Sequence, residues 1–154
     1  MDSFTVLLVE DDPNDVLLVQ RAFRRAGLPK PQALGDGEQA LSYLSGQGDF
    51  ADRGRHPLPT LVLLDLKMPR MGGFEVLRWL RARPDGLRLL PVAVLTSSAE
   101  NPDIQRAYEA GANSYLVKPP AFDDLQRMIE ALGLYWQGHN RGPRVDASPD
   151  GQAL

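Results

Sequence analysis

Short apolar runs recur along the whole chain, and segments with helical spacing separate them. The runs cover residues 4–9, 31–34, 61–64, 92–95 and 115–117. Strands that are buried on both faces read as nearly continuous apolar runs, and a strict alternation of strands and helices favours a parallel sheet. The sequence therefore predicts an α/β fold, with a doubly wound, five-stranded parallel sheet and five helices.

The expected helices begin and end at recognisable residues. Asp12 followed by Pro13 is typical of a helix N-terminus, and Gly27 ends that helix. The other expected helices cover 37–44, 74–84, 101–110 and 123–136. Residues 46–59 have no period and are rich in Gly, Pro, Arg and Asp, which predicts a long loop that is either mobile or used in function.

Polar residues follow four of the predicted strands directly. They are Glu10-Asp11-Asp12, Asp65, Thr96 and Lys118. Since open α/β sheets bind ligands in the crevice outside the carboxyl ends of their strands, these side chains are candidates for one shared site.

Several carboxylates in one crevice repel each other unless a cation is present, and oxygen-only ligands favour Mg²⁺. A chain with three lysines and fourteen arginines places Lys118 at this edge, where a compact ammonium suits a small anion. Asp65 as acceptor, Lys118 with the metal as charge neutraliser, and Thr96 as a positioning group together predict phosphoryl transfer. The alternative for Asp12 is a helix cap, and Thr96 taken alone resembles an ordinary strand-end hydroxyl.

Composition excludes several classes of protein. The 154 residues, 43% of them apolar, suit one domain, and a net charge of −3 without a basic stripe argues against direct nucleic-acid binding. The absence of cysteine excludes disulfides, thiolate metal sites and cysteine nucleophiles. Without a leader or a membrane span, a cytoplasmic protein is expected.

Four motifs in this order resemble the receiver domain of two-component response regulators, of the CheY-like superfamily. They are Val9-Glu10-Asp11-Asp12-Pro13, Leu64-Asp65-Leu66-Lys67-Met68-Pro69 with Gly72-Gly73, Leu95-Thr96-Ser97, and Lys118-Pro119-Pro120. The similarity runs from about residue 4 to residue 136. It implies a flavodoxin-like sheet with strand order 2-1-3-4-5 and phosphorylation on Asp65.

The resemblance also implies a ligand set for Mg²⁺. Glu10 would bind through water, Asp11 and Asp65 would bind through their carboxylates, and Lys67 would bind through its backbone carbonyl. Lys118 would contact the phosphoryl oxygens.

Two conformational features follow from the same resemblance. The Lys118–Pro119 peptide would be cis, a form that is uncommon even before proline. Thr96 and Tyr115 would form a switch pair, in which the hydroxyl moves to the phosphoryl group and the ring turns inward.

A finer similarity is to stand-alone receivers that partner bacterial and cyanobacterial phytochrome histidine kinases. It is carried by residues 48–55 and by Leu134-Tyr135-Trp136. It implies a sensor histidine kinase of the phytochrome type as partner. It also implies a homodimer through the fourth helix, fifth strand and fifth helix, with Tyr108, Tyr135 and Trp136 as apolar anchors. The expected organisation is a receiver over 1–137 and a flexible tail over 138–154 without an output domain.

Three functions stay open at this level: a phosphorylated signalling receiver, a Mg²⁺-dependent phosphatase with an aspartyl-phosphate intermediate, and a phosphorylation-independent interaction module. Such phosphatases typically carry a second acid two residues past the nucleophile, where this chain has Lys67. That difference favours a protein that is not a turnover enzyme. In the family, Lys67 and Ser98 flank the path of the hydrolytic water, whereas neither His56 nor His139 is expected to relay phosphoryl groups.

Overall fold

A computed structural model of the chain describes residues 4–145. Five strands form one sheet in the order β2-β1-β3-β4-β5, and all four pairings are parallel, which confirms the predicted fold class and strand order. The strands are β1 (Val6–Val9), β2 (Gln32–Leu34), β3 (Leu61–Leu64), β4 (Val92–Thr96) and β5 (Ser114–Val117).

Residues 4–145 form five α-helices, as predicted, of which the first four connect successive strands and the fifth follows β5. They are α1 (Pro13–Arg25), α2 (Gly37–Ser45), α3 (Gly73–Arg81), α4 (Asn101–Glu109) and α5 (Phe122–Gly138), with short 3-10 helices at Gly48–Phe50 and Gly86–Leu89. The predicted cap is confirmed, because the Asp12 carboxylate accepts a hydrogen bond of 2.9 Å from the Asn14 backbone N–H. Among the described residues, no helix is both long enough and apolar enough to cross a bilayer.

The helices cover both faces of the sheet and create two separate hydrophobic clusters. Helices α1 and α5 pack on one face, where Phe23 and Ile129 are fully buried, and α2, α3 and α4 contribute to the cluster on the other face. Alternate residues of β3 point to opposite faces: Leu63 belongs to the first cluster and Leu64 to the second. This double burial explains why the strands show no apolar–polar alternation.

The long loop over 46–59 is packed against α2. The guanidinium of Arg53 donates to the carbonyl oxygens of Tyr43 at 2.7 Å, Leu44 at 2.8 Å and His56 at 3.2 Å. The rings of Tyr43, Phe50 and His56 lie 5.1–5.8 Å apart in tilted and edge-on arrangements. Sequence periodicity misses this packing because it depends on single long-range contacts.

The Lys118–Pro119 peptide corrects one expectation. Among residues 4–145 no peptide bond is cis, so the bond before Pro119 is trans and the cis geometry implied by the family resemblance is wrong for this structure. Trans is the form that X–Pro bonds favour by about 0.5–1 kcal/mol when no contact selects the other isomer.

Residues 139–145 follow α5 without forming a helix or strand. Val145 is half-buried and packs against the cluster on the α2–α3–α4 face. The remainder of the expected tail, 146–154, lies outside the described residues, so the division into a receiver over 1–137 and a tail over 138–154 stays a prediction.

Replacing Arg53 by Ala tests the packing of the long loop. The variant leaves carbonyl oxygens at the C-terminal end of α2 without their donor, so we expect the free energy of unfolding to fall by about 2 kcal/mol. Urea unfolding followed by circular dichroism measures the change. Arg55→Ala, in the same loop but exposed, is the control and should stay within about 0.5 kcal/mol of the wild type.

Candidate functional site

The parallel register brings the predicted site residues to one edge of the sheet. Val9 pairs with Leu64 and Leu64 with Val94, so the residues that follow β1 and β3 emerge together. Thr96 at the end of β4 pairs with Val117, the last residue of β5. The acids, the hydroxyl and Lys118 therefore all lie at the carboxyl edge, as the sequence predicts.

Three carboxylates form a cluster at this edge. Oxygen atoms of Glu10, Asp11 and Asp65 all lie within 4.8 Å of one another. Glu10 is 2% exposed and Asp65 is 8% exposed, whereas Asp11 lies at the surface. Hard cations such as Mg²⁺ prefer oxygen ligands and keep several waters, so a cluster with one open side fits such an ion.

The ammonium group of Lys118 connects three acids. Its Nζ lies 2.5 Å from Glu10 Oε2, 2.9 Å from Asp15 Oδ2 and 3.8 Å from Asp65 Oδ2. Only 14% of the lysine side chain is exposed, so these charges interact with little screening by water. Asp15 is a site residue that the sequence analysis missed. Its position three residues after the Asp12 cap, in the first turn of α1, was the available signal.

The charges at this edge do not balance. Burial raises the pKa of Glu10 from 4.5 to about 7, and the charge of Asp65 adds to that effect against the opposing bonds from Lys118 and the Asp12 backbone. Burial alone would lower the pKa of Lys118, but its bonds to Glu10 and Asp15 and the charge of Asp65 raise it overall. The lysine thus stays protonated, and at Glu10 the effect of burial on the pKa outweighs the stabilisation that Lys118 gives to the ionised carboxylate. A divalent cation would supply the missing positive charge.

Thr96 and Tyr115 lie at the other side of the site, on β4 and β5. Thr96 is 1% exposed at the end of β4. The half-buried Tyr115 donates its hydroxyl to the backbone carbonyl of Ser98 at 2.9 Å, and its partial burial raises the pKa of the phenol. The predicted switch residues are therefore linked through the loop that follows Thr96.

The loop after β3 folds closely over Asp65. A Cβ at Gly73 would lie 2.2 Å from the carbonyl oxygen of Asp65, so only glycine permits this approach. The Gly73 N–H donates to Leu66 O at 3.0 Å and closes the loop. Lys67 lies on this loop with its side chain 69% exposed and its Nζ 3.8 Å from Asp103. The role of the Lys67 carbonyl as a metal ligand stays a prediction.

The two histidines do not follow any of the strands whose ends form the site. His56 lies in the long loop before β3, and His139 lies after α5. His56 packs among the rings of the long loop, where its Nδ1 is buried without a hydrogen-bond partner. His139 directly follows α5 and is exposed. That neither relays phosphoryl groups stays a prediction.

Comparisons with known proteins agree on one family. Residues 6–130 match the response regulator receiver domain. The chain is 44% identical over 143 residues to the probable methanogenesis regulatory protein FilR2 of Methanothrix harundinacea, over 92% of this chain and 89% of that protein.

Solved structures extend this similarity to the whole fold. The crystal structure of response regulator RPA3017 in red light signaling of R. palustris is 40% identical, with a TM-score of 0.86 and coverage of 92% of this chain and 99% of that one. The phosphorylated cyanobacterial phytochrome response regulator RcpA is 30% identical, with a TM-score of 0.83 and coverage of 93% and 100%.

The raised pKa of Glu10 has a consequence for stability without metal. Its pKa is about 7 in the folded protein against an ordinary value of 4.5, so between these values the folded state binds more protons than the unfolded state. The free energy of unfolding therefore falls as pH rises from about 4.5 to about 7. Urea unfolding with a chelator, at about pH 5, 6, 7 and 8, measures this decline.

Two comparisons isolate the contribution of Glu10. The variant Glu10→Gln cannot titrate, so its stability should change less over the same pH range. Added Mg²⁺ should stabilise the wild type more at about pH 8 than at about pH 5, because metal binding requires the ionised carboxylate. An equal stabilisation at both pH values would contradict this explanation.

Proposed function

Because this chain belongs to the response regulator receiver domain family, we propose that it accepts a phosphoryl group from the histidine of a sensor kinase onto Asp65, in a Mg²⁺-dependent reaction. The observation that supports this most directly is the arrangement of Asp65. A nearly buried carboxylate at the carboxyl edge of the sheet lies 3.8 Å from a protonated lysine and within 4.8 Å of two further acids.

The chemistry requires a nucleophile and compensation of negative charge. A carboxylate oxygen of Asp65 forms a bond to phosphorus, the phosphorus–nitrogen bond of the donor histidine breaks, and its electron pair returns to the imidazole. Lys118 contacts the transferred phosphoryl oxygens. Glu10, Asp11, Asp65 and the Lys67 carbonyl would hold Mg²⁺, which neutralises the charge that the phosphoryl group adds.

The signal is a population shift at the Thr96 side of the site. The Thr96 hydroxyl moves to the phosphoryl group and Tyr115 turns inward, which changes the surface formed by α4, β5 and α5. Tyr115 is bonded to the backbone of Ser98 in this structure, so movement of the loop after Thr96 is coupled to the ring. Thr96 thus acts as a catalytic and a switch residue.

That surface is also the proposed homodimer interface. Tyr108 is 48% exposed and Tyr135 is 54% exposed, and Leu134 adds an exposed apolar side chain at the end of α5. Trp136 is half-buried, and part of its side chain already packs against the core cluster beside α1 and α5. The two tyrosines and Leu134 are therefore the stronger anchors.

The proposed partner is a histidine kinase of the phytochrome type. The similarity to a phytochrome response regulator and to a regulator in red light signaling supports it. The chain is also similar to FilR2, a probable methanogenesis regulatory protein, so the phytochrome-type kinase is proposed on the solved structures rather than on every relative.

We also propose that the receiver covers residues 1–137. We further propose that the protein is not a turnover enzyme, since Lys67 occupies the position of the second acid of aspartyl phosphatases. The proposal also includes a cytoplasmic location, with which a chain without cysteine is compatible.

Asp65→Asn tests the acceptor. We expect the variant to fold, to lack a nucleophilic carboxylate, and to gain no phosphoryl adduct from acetyl phosphate with Mg²⁺, whereas the wild type gains one. Intact-mass spectrometry measures the adduct, with and without a chelator. Asp12→Asn is the matched control, because Asn retains the capping function and should leave labelling intact. Stoichiometric labelling of Asp65→Asn would reject Asp65 as the acceptor.

Lys118→Ala tests the transmission of the signal. Removal of the ammonium leaves Glu10, Asp15 and Asp65 without a cation, so Mg²⁺ affinity should be retained or increased. The phosphoryl oxygens lose their contact, so phosphorylation should no longer change dimer or kinase affinity. Calorimetric Mg²⁺ titration and sedimentation with and without acetyl phosphate measure the two effects, with exposed Lys30→Ala as control. Unchanged coupling in Lys118→Ala would contradict the assignment.

A further inference from the structure

The ammonium group of Lys118 lies closer to Asp15 than to the proposed phosphoryl acceptor. Its Nζ donates a hydrogen bond of 2.9 Å to Asp15 Oδ2, whereas Asp65 Oδ2 is 3.8 Å away, beyond the length of a hydrogen bond. Its other hydrogen bond, of 2.5 Å, goes to Glu10 Oε2. The lysine is therefore bonded to two acids that follow β1 and not to the acid that follows β3.

The first turn of α1 fixes the position of Asp15. The Asp12 carboxylate caps the helix through the Asn14 N–H at 2.9 Å, and the Asp12 N–H donates to Glu10 Oε1 at 3.1 Å. This turn is thereby tied to one of the two acids that bind the lysine. The Asp15 side chain is 34% exposed, and in the ion pairs of residues 4–145 Lys118 is its only cationic partner.

Asp15 stands apart from the acids that could hold a metal ion. Among residues 4–145, the cluster with oxygens close enough to share one ion comprises Glu10, Asp11 and Asp65. The helix does not need Asp15 as its cap, because Asp12 already has that role. A further carboxylate here adds negative charge to a site that is already rich in it. Its contact is therefore best explained by an effect on Lys118.

Lys118 can change partners without moving its backbone. Its N–H donates to the carbonyl oxygen of Thr96 at 2.8 Å, which fixes the backbone beside the end of β4. The ammonium group, in contrast, is carried on a flexible four-carbon stem. To contact a phosphoryl group on Asp65, the ammonium has to shift toward β3, away from the first turn of α1.

We propose that Asp15 is a positioning residue that competes with the phosphoryl group for Lys118 and thereby slows the phosphorylation of Asp65. This inference rests on the proposed function of Asp65 as acceptor. With acetyl phosphate as donor, an Asp65 oxygen bonds to phosphorus, the bond from phosphorus to the acetate oxygen breaks, and acetate leaves with the electron pair. The bond between Asp15 and Lys118 exists before this step and is lost when Lys118 contacts the phosphoryl oxygens. Asp15 contributes no atom to the reaction.

Asp15→Ala should accelerate labelling and leave hydrolysis unchanged. Labelling no longer costs Lys118 a bond, so its rate should rise by roughly three- to tenfold, the size expected for one partly exposed bond between charged groups. In hydrolysis, the oxygen of water bonds to phosphorus, the phosphorus–oxygen bond to Asp65 breaks, and a proton of the water passes to the phosphate. Lys118 contacts the phosphoryl oxygens before and during hydrolysis, so the wild-type rate should persist. Time-resolved intact-mass spectrometry at saturating Mg²⁺ measures both rates, and acceleration of both would overturn the inference.

Three variants identify the interaction involved. Asp15→Asn keeps the shape of the side chain without its charge, so labelling should accelerate in the same direction even if Asp15→Ala folds poorly. Asp15→Glu retains a carboxylate that can reach Lys118, and it should restore most of the slow labelling. Asp123→Ala removes an exposed acid from the first turn of α5, and it should leave both rates at the wild-type values. This last variant controls for the loss of a favourable charge at a helix N-terminus.

A double variant separates competition for Lys118 from simple repulsion of an anionic donor by Asp15. Without Lys118 there is nothing to compete for, so Asp15→Ala combined with Lys118→Ala should label at the rate of Lys118→Ala alone. Acceleration that persists in this background would show repulsion and overturn the inference. A wild-type labelling rate in Asp15→Ala would also overturn it and leave the proposed function intact, whereas failure of the wild type to label at Asp65 would overturn the proposed function itself.

Discussion

The carboxyl edge of the sheet is organised around one buried ammonium group that is shared by three carboxylates. Lys118 follows β5, yet it contacts acids that follow β1 and β3 and one in the first turn of α1. These contacts tie together strands that are not all neighbours in the sheet. One positive charge faces several carboxylates, and burial of Glu10 further disfavours its ionised form and raises its pKa. The fold therefore maintains a site with a deficit of positive charge, and cations and protons compete to fill it.

The polar contacts around this edge differ in strength from one side to the other. On the β1 and β3 side, Glu10 and Asp65 are buried, and Lys118 lies 2.5 Å from Glu10 and 3.8 Å from Asp65. On the β4 side, the loop after Thr96 is held by individual hydrogen bonds at Ser98: its hydroxyl donates to Asp103 and accepts from the Glu100 N–H, and its carbonyl accepts from the Tyr115 hydroxyl. Each such bond contributes about 1 kcal/mol, so a charged group that forms new contacts with this loop competes with them easily.

Much of this architecture was predictable because it depends on local patterns. Apolar runs buried on both faces reveal the strands, and parallel strands necessarily bring Glu10, Asp65 and Lys118 to the same edge. The contacts of Arg53, Asp15 and Asp103 were not predictable, because each joins segments whose relative position only the folded chain defines. The bond before Pro119 is a different case, because here the sequence motif suggested a cis isomer and the bond is trans. A motif shared with a family does not by itself select a peptide isomer.

The acids around Lys118 are held firmly, whereas the loop after Thr96 is held by fewer and weaker bonds. This difference suits a protein in which phosphorylation is proposed to change the conformation of the loop. If both sides were held as firmly as Glu10 and Lys118, a phosphoryl group on Asp65 would change charge without changing shape. If both were loose, the acids would not stay close enough to create a strong cation site. The strands β3 and β4, which carry Asp65 and Thr96 at their carboxyl ends, are adjacent in the sheet. In the proposed mechanism, a change in charge at the end of β3 therefore acts on the conformation of the loop that follows β4.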